Sequence, residues 1–192
     1  LLLHIGTEKT GSSYLQTLMA LNREQLQQAS IYFPKAGKRE QQMIQGEISP
    51  GNAQDLSDGL LQNDEAAIHR ILENHQLNAM QRKCRAVLLS NELLVAALPE
   101  VKSLETFLSI SKAIGFQEIK MLLFLRDPID QALSLYKHRA KSGTISAVED
   151  WIVDSHTLPV HLQGFLGNVE KYNLSCAVRK YSRKEEIGRA SC

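Results

Sequence analysis

The sequence is poor in several features that would each mark a class of protein. It has only three cysteines, Cys84, Cys176 and Cys192, widely spaced and without a C-x-x-C pair. An odd, scattered set excludes a disulfide framework and a cysteine zinc site and leaves buried or bystander thiols. The six histidines show no H-E-x-x-H or comparable ligand spacing, so no metal site is expected. No apolar run approaches the roughly 18 residues of a membrane span. Charge of one sign is missing too: 22 basic against 21 acidic residues leave a net charge of +1, so no nucleic-acid groove is expected and any basic site must be local. Aromatic residues make up 6%, with a single tryptophan, Trp151. There is no internal repeat and no low-complexity tract.

What remains is ordinary globular composition, 43% hydrophobic and 22% charged over 192 residues. That is enough for one domain with a real core, spanning residues 1–192, and too little for a second. The chain begins without methionine, inside its first apparent strand. The domain is therefore expected to be incomplete at both ends, and a targeting segment ahead of it stays open. A cytoplasmic location is otherwise the expectation.

The opening stretch carries the most information. Leu1-Leu2-Leu3-His4-Ile5 is an apolar run that feeds Gly6-Thr7-Glu8-Lys9-Thr10-Gly11-Ser12-Ser13 and then a helical pattern. A buried strand would aim the turn, its glycines would let backbone N–H groups curl inward, and the helix start would add unpaired donors and a positive dipole end. The hydroxyls of Thr10, Ser12 and Ser13 and the ammonium of Lys9 add the donors that a phosphate or sulfate needs. The pattern is not Walker A, G-x-x-x-x-G-K-[ST], because Gly11 is followed by Ser12 and the only lysine stands two residues before it.

A second segment, Lys120-Met121-Leu122-Leu123-Phe124-Leu125-Arg126-Asp127-Pro128, reads as a buried strand ending in an arginine, then a helix start with Asp127 as cap and Pro128 at the first helical position. Ser134 follows eight residues after Arg126, two turns into that helix. Spacing assigns Ile129, Ala132, Leu133 and Tyr136 to its buried stripe and Asp130, Ser134, Lys137, His138 and Lys141 to its other face. For Lys137, His138 and Lys141 the plain reading is a solvated surface.

A third segment, Ala86-Val87-Leu88-Leu89-Ser90-Asn91-Glu92, is a short apolar run that ends in polar residues, as a central parallel strand does where it meets a ligand crevice. Glu92 there is either a general base or a cap or ion-pair partner for its neighbours.

The remaining pattern predicts a strand over residues 1–5, a helix over 11–29, a short strand at 31–33, a long polar loop over 35–63, helices over 64–83 and 99–114, and strands at 86–89 and 120–125. The Pro128 helix, a break at Gly143, helices over 146–154 and 161–172 and a strand at 177–181 complete the chain. Strands alternating with helices imply an α/β fold, a central parallel sheet covered on both faces with its site at the carboxyl ends of the strands.

Lys9-Thr10-Gly11-Ser12-Ser13-Tyr14-Leu15-Gln16 resembles the 5′-phosphosulfate loop, P-K-[ST]-G-[ST]-[ST]-x-L-Q, of sulfotransferases that use 3′-phosphoadenosine 5′-phosphosulfate (PAPS), with Glu8 in place of the usual proline. Arg126 with Ser134 is similar to that family's 3′-phosphate site, and the strand ending at Glu92 resembles its Ser-Ser-Glu segment. Tyr136, Gly143 and Trp151 also stand where bacterial and carbohydrate sulfotransferases carry similar residues. Residues 182–192 depart from the family, which continues with a loop closing over the adenosine.

The resemblance implies a three-layer, P-loop-like fold and transfer of a sulfuryl group from PAPS to a hydroxyl or amine, with a glycan or small alcohol as acceptor and 3′,5′-adenosine bisphosphate as product. Lys9 and Glu92 would be catalytic; Lys9, Thr10, Gly11, Ser12, Ser13, Arg126 and Ser134 would bind the nucleotide; no metal would be required. His138 and His4 are outside candidates for the base. Residues 35–63 and 142–158 are candidate acceptor walls, with Trp151 able to stack on a sugar, though a core tryptophan is commoner. The rival readings are a small-metabolite kinase and a non-catalytic nucleotide-binding domain.

Overall fold

The computed structural model describes residues 1–47, 49–141, 143, 146–154 and 156–181. Among these, strands β1 (Leu2–Gly6), β2 (Ile31–Tyr32), β3 (Ala86–Ser90), β4 (Lys120–Leu125) and β5 (Ser175–Lys180) form one sheet in the order β2-β3-β1-β4-β5, every pair parallel. Parallel pairing demands crossovers, and helices supply them. Helices α1 (Ser12–Leu21) and α2 (Arg23–Gln28) follow β1, and α3 (Glu40–Ile44), α4 (Gln54–Leu61) and α5 (Glu65–Gln81) follow β2. Helices α6 (Leu94–Ala97) and α7 (Val101–Ile114) follow β3, and α8 (Pro128–Lys141), α9 (Val148–Asp154) and α10 (Leu158–Lys171) follow β4.

Strand alternation sorts the core into two layers. Leu3 and Ile5 of β1, Val87 and Leu89 of β3, and Met121 and Leu123 of β4 join one cluster with Leu56, Leu60, Ile68, Leu72, Phe107 and Phe165 from α4, α5, α7 and α10. Leu88 points the other way, toward Ala20, Phe33 and Met43. The fold is thus the expected α/β sandwich of a parallel sheet between helices. Among the described residues no helix is long and apolar enough to cross a membrane.

Three local expectations are corrected. The helix foreseen over 11–29 breaks at Asn22, whose side-chain amide donates to the Leu18 carbonyl at 2.7 Å while its backbone N–H donates to the same oxygen at 3.1 Å, a side-chain competition that favours helix ends. The polar stretch over 35–63 is not a long loop. It holds a 3₁₀ turn (Gly37–Arg39), α3 and α4. The first two are pinned where Glu40 accepts two bonds from Arg23 and one from the Ala36 N–H. In α8 the buried residues are Gln131, Ala132 and Leu135, whereas Ile129 and Leu133 are 70% and 40% exposed. The stripe is rotated because a glutamine occupies it. Helix α8 otherwise starts as foreseen, with the Asp127 carboxylate accepting the N–H groups of Ile129 and Asp130 at 3.1 and 3.0 Å.

Candidate functional site

From β1 the chain goes outward to β2, returns to β3, then crosses to β4 and β5 on the opposite side. Strands β1 and β4 are therefore neighbours whose onward connections leave in opposite directions, the arrangement that opens a crevice at the carboxyl ends of a parallel sheet. Register brings Gly6 beside Phe124 and His4 beside Ser90. The segments after β1, β3 and β4 thus emerge together.

The loop after β1 is held in a strained curl. Lys9 has φ 64° and Gly11 φ 77°, left-handed values that cost a lysine about 1–3 kcal/mol and glycine little. Alternation of this kind turns successive backbone N–H groups into an anion-binding concavity, which runs directly into the first turn of α1, where N–H groups lack intrahelical partners. Gly6 at the strand end leaves room for Ser12, since a Cβ there would come within 2.4 Å of Ser12 Oγ and displace that hydroxyl.

The strain is borne by neighbours. Thr7 Oγ1 donates to the Phe124 carbonyl at 3.2 Å, and Gln131 Nε2 donates to Thr7 Oγ1 at 2.8 Å and to the Glu8 carbonyl at 2.6 Å. Arg126 Nη1 donates to the Lys9 carbonyl at 3.3 Å, and its Nη2 lies 3.8 Å from the Asp130 carboxylate.

A cavity of about 300 Å³ results. Lys9, Gly11, Ser12 and Ser13 line it from the loop, Arg126 and Ser134 from β4 and α8, and Glu92 from the end of β3. Glu8, His138 and Tyr181 complete the lining. Of the site residues expected from the sequence, Thr10 alone is turned away: its hydroxyl donates to the Thr7 carbonyl and lies 3.3 Å from Ser12 Oγ, so it shapes the loop.

Glu92 does not cap α6. The N-cap of that helix is Leu93, without a side-chain cap, and it is Asn91 that fixes the approach, its Oδ1 accepting the Leu93 N–H at 2.5 Å. The Glu92 carboxyl instead bonds to Ser12 and feels the charges of Glu8 and Lys9; burial dominates and pushes it up to about 7. A carboxyl poised near neutrality can exchange a proton at physiological pH. Glu92 and Glu8 also line a second cavity of about 460 Å³, walled by α6, α8, α9 and the start of α10. Glu92 therefore borders both spaces.

His4 leaves the list of candidate bases. It is 2% exposed, bonded through Nδ1 to Ser90 Oγ at 2.7 Å, kept uncharged by burial with its titration down near 4, and lines neither cavity. His138 lines the smaller one. Of the two expected acceptor walls, the described residues of 35–63 line neither cavity, while Ser146, Trp151, His156, Thr157 and Leu158 line the larger. Residues 142, 144, 145 and 155 of that second wall, and 182–192, lie outside the described residues. Trp151 is 7% exposed, with Tyr136 at 5.8 Å and His156 stacked at 5.1 Å. It belongs to the core at the edge of the cavity and is not an open stacking shelf.

Sequence reasoning overlooked Gln131, the loop's clamp, and Tyr181, which lines the smaller cavity. A glutamine interrupting an apolar helical stripe was the available signal for the first. Gln16, noticed only as part of the loop pattern, is buried and donates to Ser90 Oγ at 3.1 Å, tying α1 to β3. Compared with protein-family models, with curated proteins and with solved structures, the chain matches none.

Proposed function

We propose that this protein is a sulfotransferase that moves a sulfuryl group from PAPS to a hydroxyl or amine of a glycan or small alcohol. The observation that carries the reading is the convergence of Lys9 and Arg126, from the ends of two adjacent strands, in one cavity with Glu92 and Ser134. Two cationic groups on separate elements suit a ligand with two anionic groups, and the left-handed curl suits an oxyanion.

When bound, PAPS supplies the sulfuryl group, whose bond to the 5′ phosphate breaks as one to the acceptor atom forms. The Lys9 ammonium offsets charge at the departing phosphate, and the N–H groups of Gly11, Ser12 and Ser13 with the two serine hydroxyls hold it in place. Arg126, backed by Asp130, and Ser134 hold the 3′ phosphate and favour this nucleotide over ATP. Glu92 takes the acceptor's proton. Tyr181 offers an aromatic face for the adenine.

Calorimetry with 3′,5′-adenosine bisphosphate, compared with ATP plus magnesium, tests the binding half. A clear preference for the bisphosphate is expected, and a preference for magnesium-ATP would overturn the reading in favour of a kinase. Transfer of labelled sulfate from PAPS to a panel of alcohols and glycosides tests the chemistry. Tight bisphosphate binding without transfer to any acceptor would leave a non-catalytic domain.

A further inference from the structure

The larger cavity has a charge pattern that narrows what it can accept. Its polar wall carries Glu8, Glu92 and Arg139, and its floor is aliphatic, formed by Leu93, Val95, Ala96, Leu135 and Leu158. Arg139 Nη2 lies 3.8 Å from the Glu8 carboxylate, so the one arginine already faces an acidic partner. The remaining described groups that can ionise there are His156 and His161, and burial lowers the affinity of His156 for a proton. Above neutrality these described groups sum to a wall that is neutral to acidic.

We infer that the acceptor bound beside Glu92 is an uncharged alcohol with an apolar face, such as a neutral glycoside of an aliphatic chain, and that Glu8 with Glu92 discriminates against acidic acceptors, Arg139 offsetting part of that charge. The inference rests on the sulfotransferase reading for the word acceptor, while the cavity and its charges stand apart from it. An acidic sugar would place its carboxylate against Glu8 and Glu92, two carboxylates facing one arginine among the described lining residues, and unlike a neutral one it would lose its hydration with no unshared cation to replace it. A neutral sugar can hydrogen-bond both carboxylates and lay its aliphatic part on the leucines. The cavity's volume lies in the range of sites for small organic ligands.

The molecule holds its own reporter, because Trp151 is its single tryptophan and borders this cavity. Octyl β-glucoside and octyl β-glucuronide, which differ by one carboxylate, are titrated separately below their micelle concentrations at pH 8, following Trp151 emission. The glucoside is expected to give a saturable change and the glucuronide to bind at least about tenfold more weakly, a Coulombic penalty of ordinary size in a partly wet cavity. Glu8→Gln should narrow that ratio by about threefold or more and Arg139→Gln should widen it. Equal or tighter glucuronide binding, or a saturable response to neither, overturns the inference. Calorimetry of 3′,5′-adenosine bisphosphate on the same sample keeps the two failures apart. Nucleotide binding with no glucoside response rejects the acceptor class alone, and a glucoside response without nucleotide binding rejects the sulfuryl-transfer reading alone.

Discussion

Lys9 combines two properties that rarely coincide in a lysine, a left-handed backbone and a place in a cavity shared with an arginine. Its carbonyl is taken by Arg126, so the main chain at this position is fixed by one cation while its side chain brings another. Lys9→Ala should lower turnover by orders of magnitude and change bisphosphate affinity only modestly, read from sulfuryl-transfer rates beside calorimetry. Near-normal transfer would remove Lys9 from the chemistry. Arg126→Ala should weaken bisphosphate binding by about 1.5–3 kcal/mol, the worth of hydrogen bonds to charged groups, and AMP binding much less. Equal losses would reduce Arg126 to a brace for the loop. These residues were legible in the sequence because Lys9 lies between two glycines and Arg126 directly follows a strand, positions that betray a turn. The inward rotation of the Thr10 hydroxyl was not legible, since it depends on a hydrogen bond to Thr7 that no spacing encodes.

Helix α8 serves both cavities at once. Gln131 clamps the loop, Ser134 and His138 line the smaller cavity, and Leu135 and Arg139 line the larger. Gln131→Leu keeps the volume and removes two donors, leaving the Glu8 carbonyl and Thr7 hydroxyl underbonded. The expected cost is about 1–3 kcal/mol in denaturant unfolding, with weaker bisphosphate binding and an unchanged far-ultraviolet circular dichroism spectrum. Unaltered stability and binding would show that the loop holds its curl unaided. Helical spacing alone put Ile129 and Leu133 inside, because an apolar count cannot foresee that a buried polar clamp will turn the helix. The same limit hid α3 and α4. Each is short and buries few apolar side chains, Met43 in α3 and Leu56 and Leu60 in α4, and α3 is pinned by the Arg23–Glu40 pair. By contrast β1, β3, β4 and β5 and helices α5 and α7 were readable, since long apolar periodicity and a Gly115 stop leave few alternatives.

The molecule as a whole should answer to pH through groups that burial shifts in opposite directions, Glu92 one way and His4 and His75 the other. Glu92 ordinarily titrates at 4.5 and is raised to about 7. The folded protein thus keeps a proton that the unfolded chain has released, and stability falls as pH rises across that window. His4 ordinarily titrates at 6.5 and is lowered to about 4. The unfolded chain takes up its proton first, so stability falls as pH drops through that range. The two slopes oppose each other over most of the mildly acidic range. Glu92→Gln should therefore unmask a stability that rises with pH from about 4 to 6.5, followed by thermal melting, and should exceed the parent protein in stability at pH 8. The same substitution should abolish the rise of transfer rate with pH centred near 7 that an ionised base requires. A melting profile unchanged by the substitution would mean that Glu92 is wetter and less perturbed than its surroundings imply.

The central position of β1 has a bearing on how the protein comes into being. Leu2 is registered with Leu88 on one side and Lys120 on the other, so β1 pairs only with strands far along the chain, a non-local pairing that slows folding. The curl after β1 is complete only once β4 and the start of α8 have joined it, because Arg126 and Gln131 bond to its backbone and to Thr7. Any ligand that spans Lys9 and Arg126 would therefore bind the assembled sheet and not the unfolded chain, and by mass action would shield it from proteases.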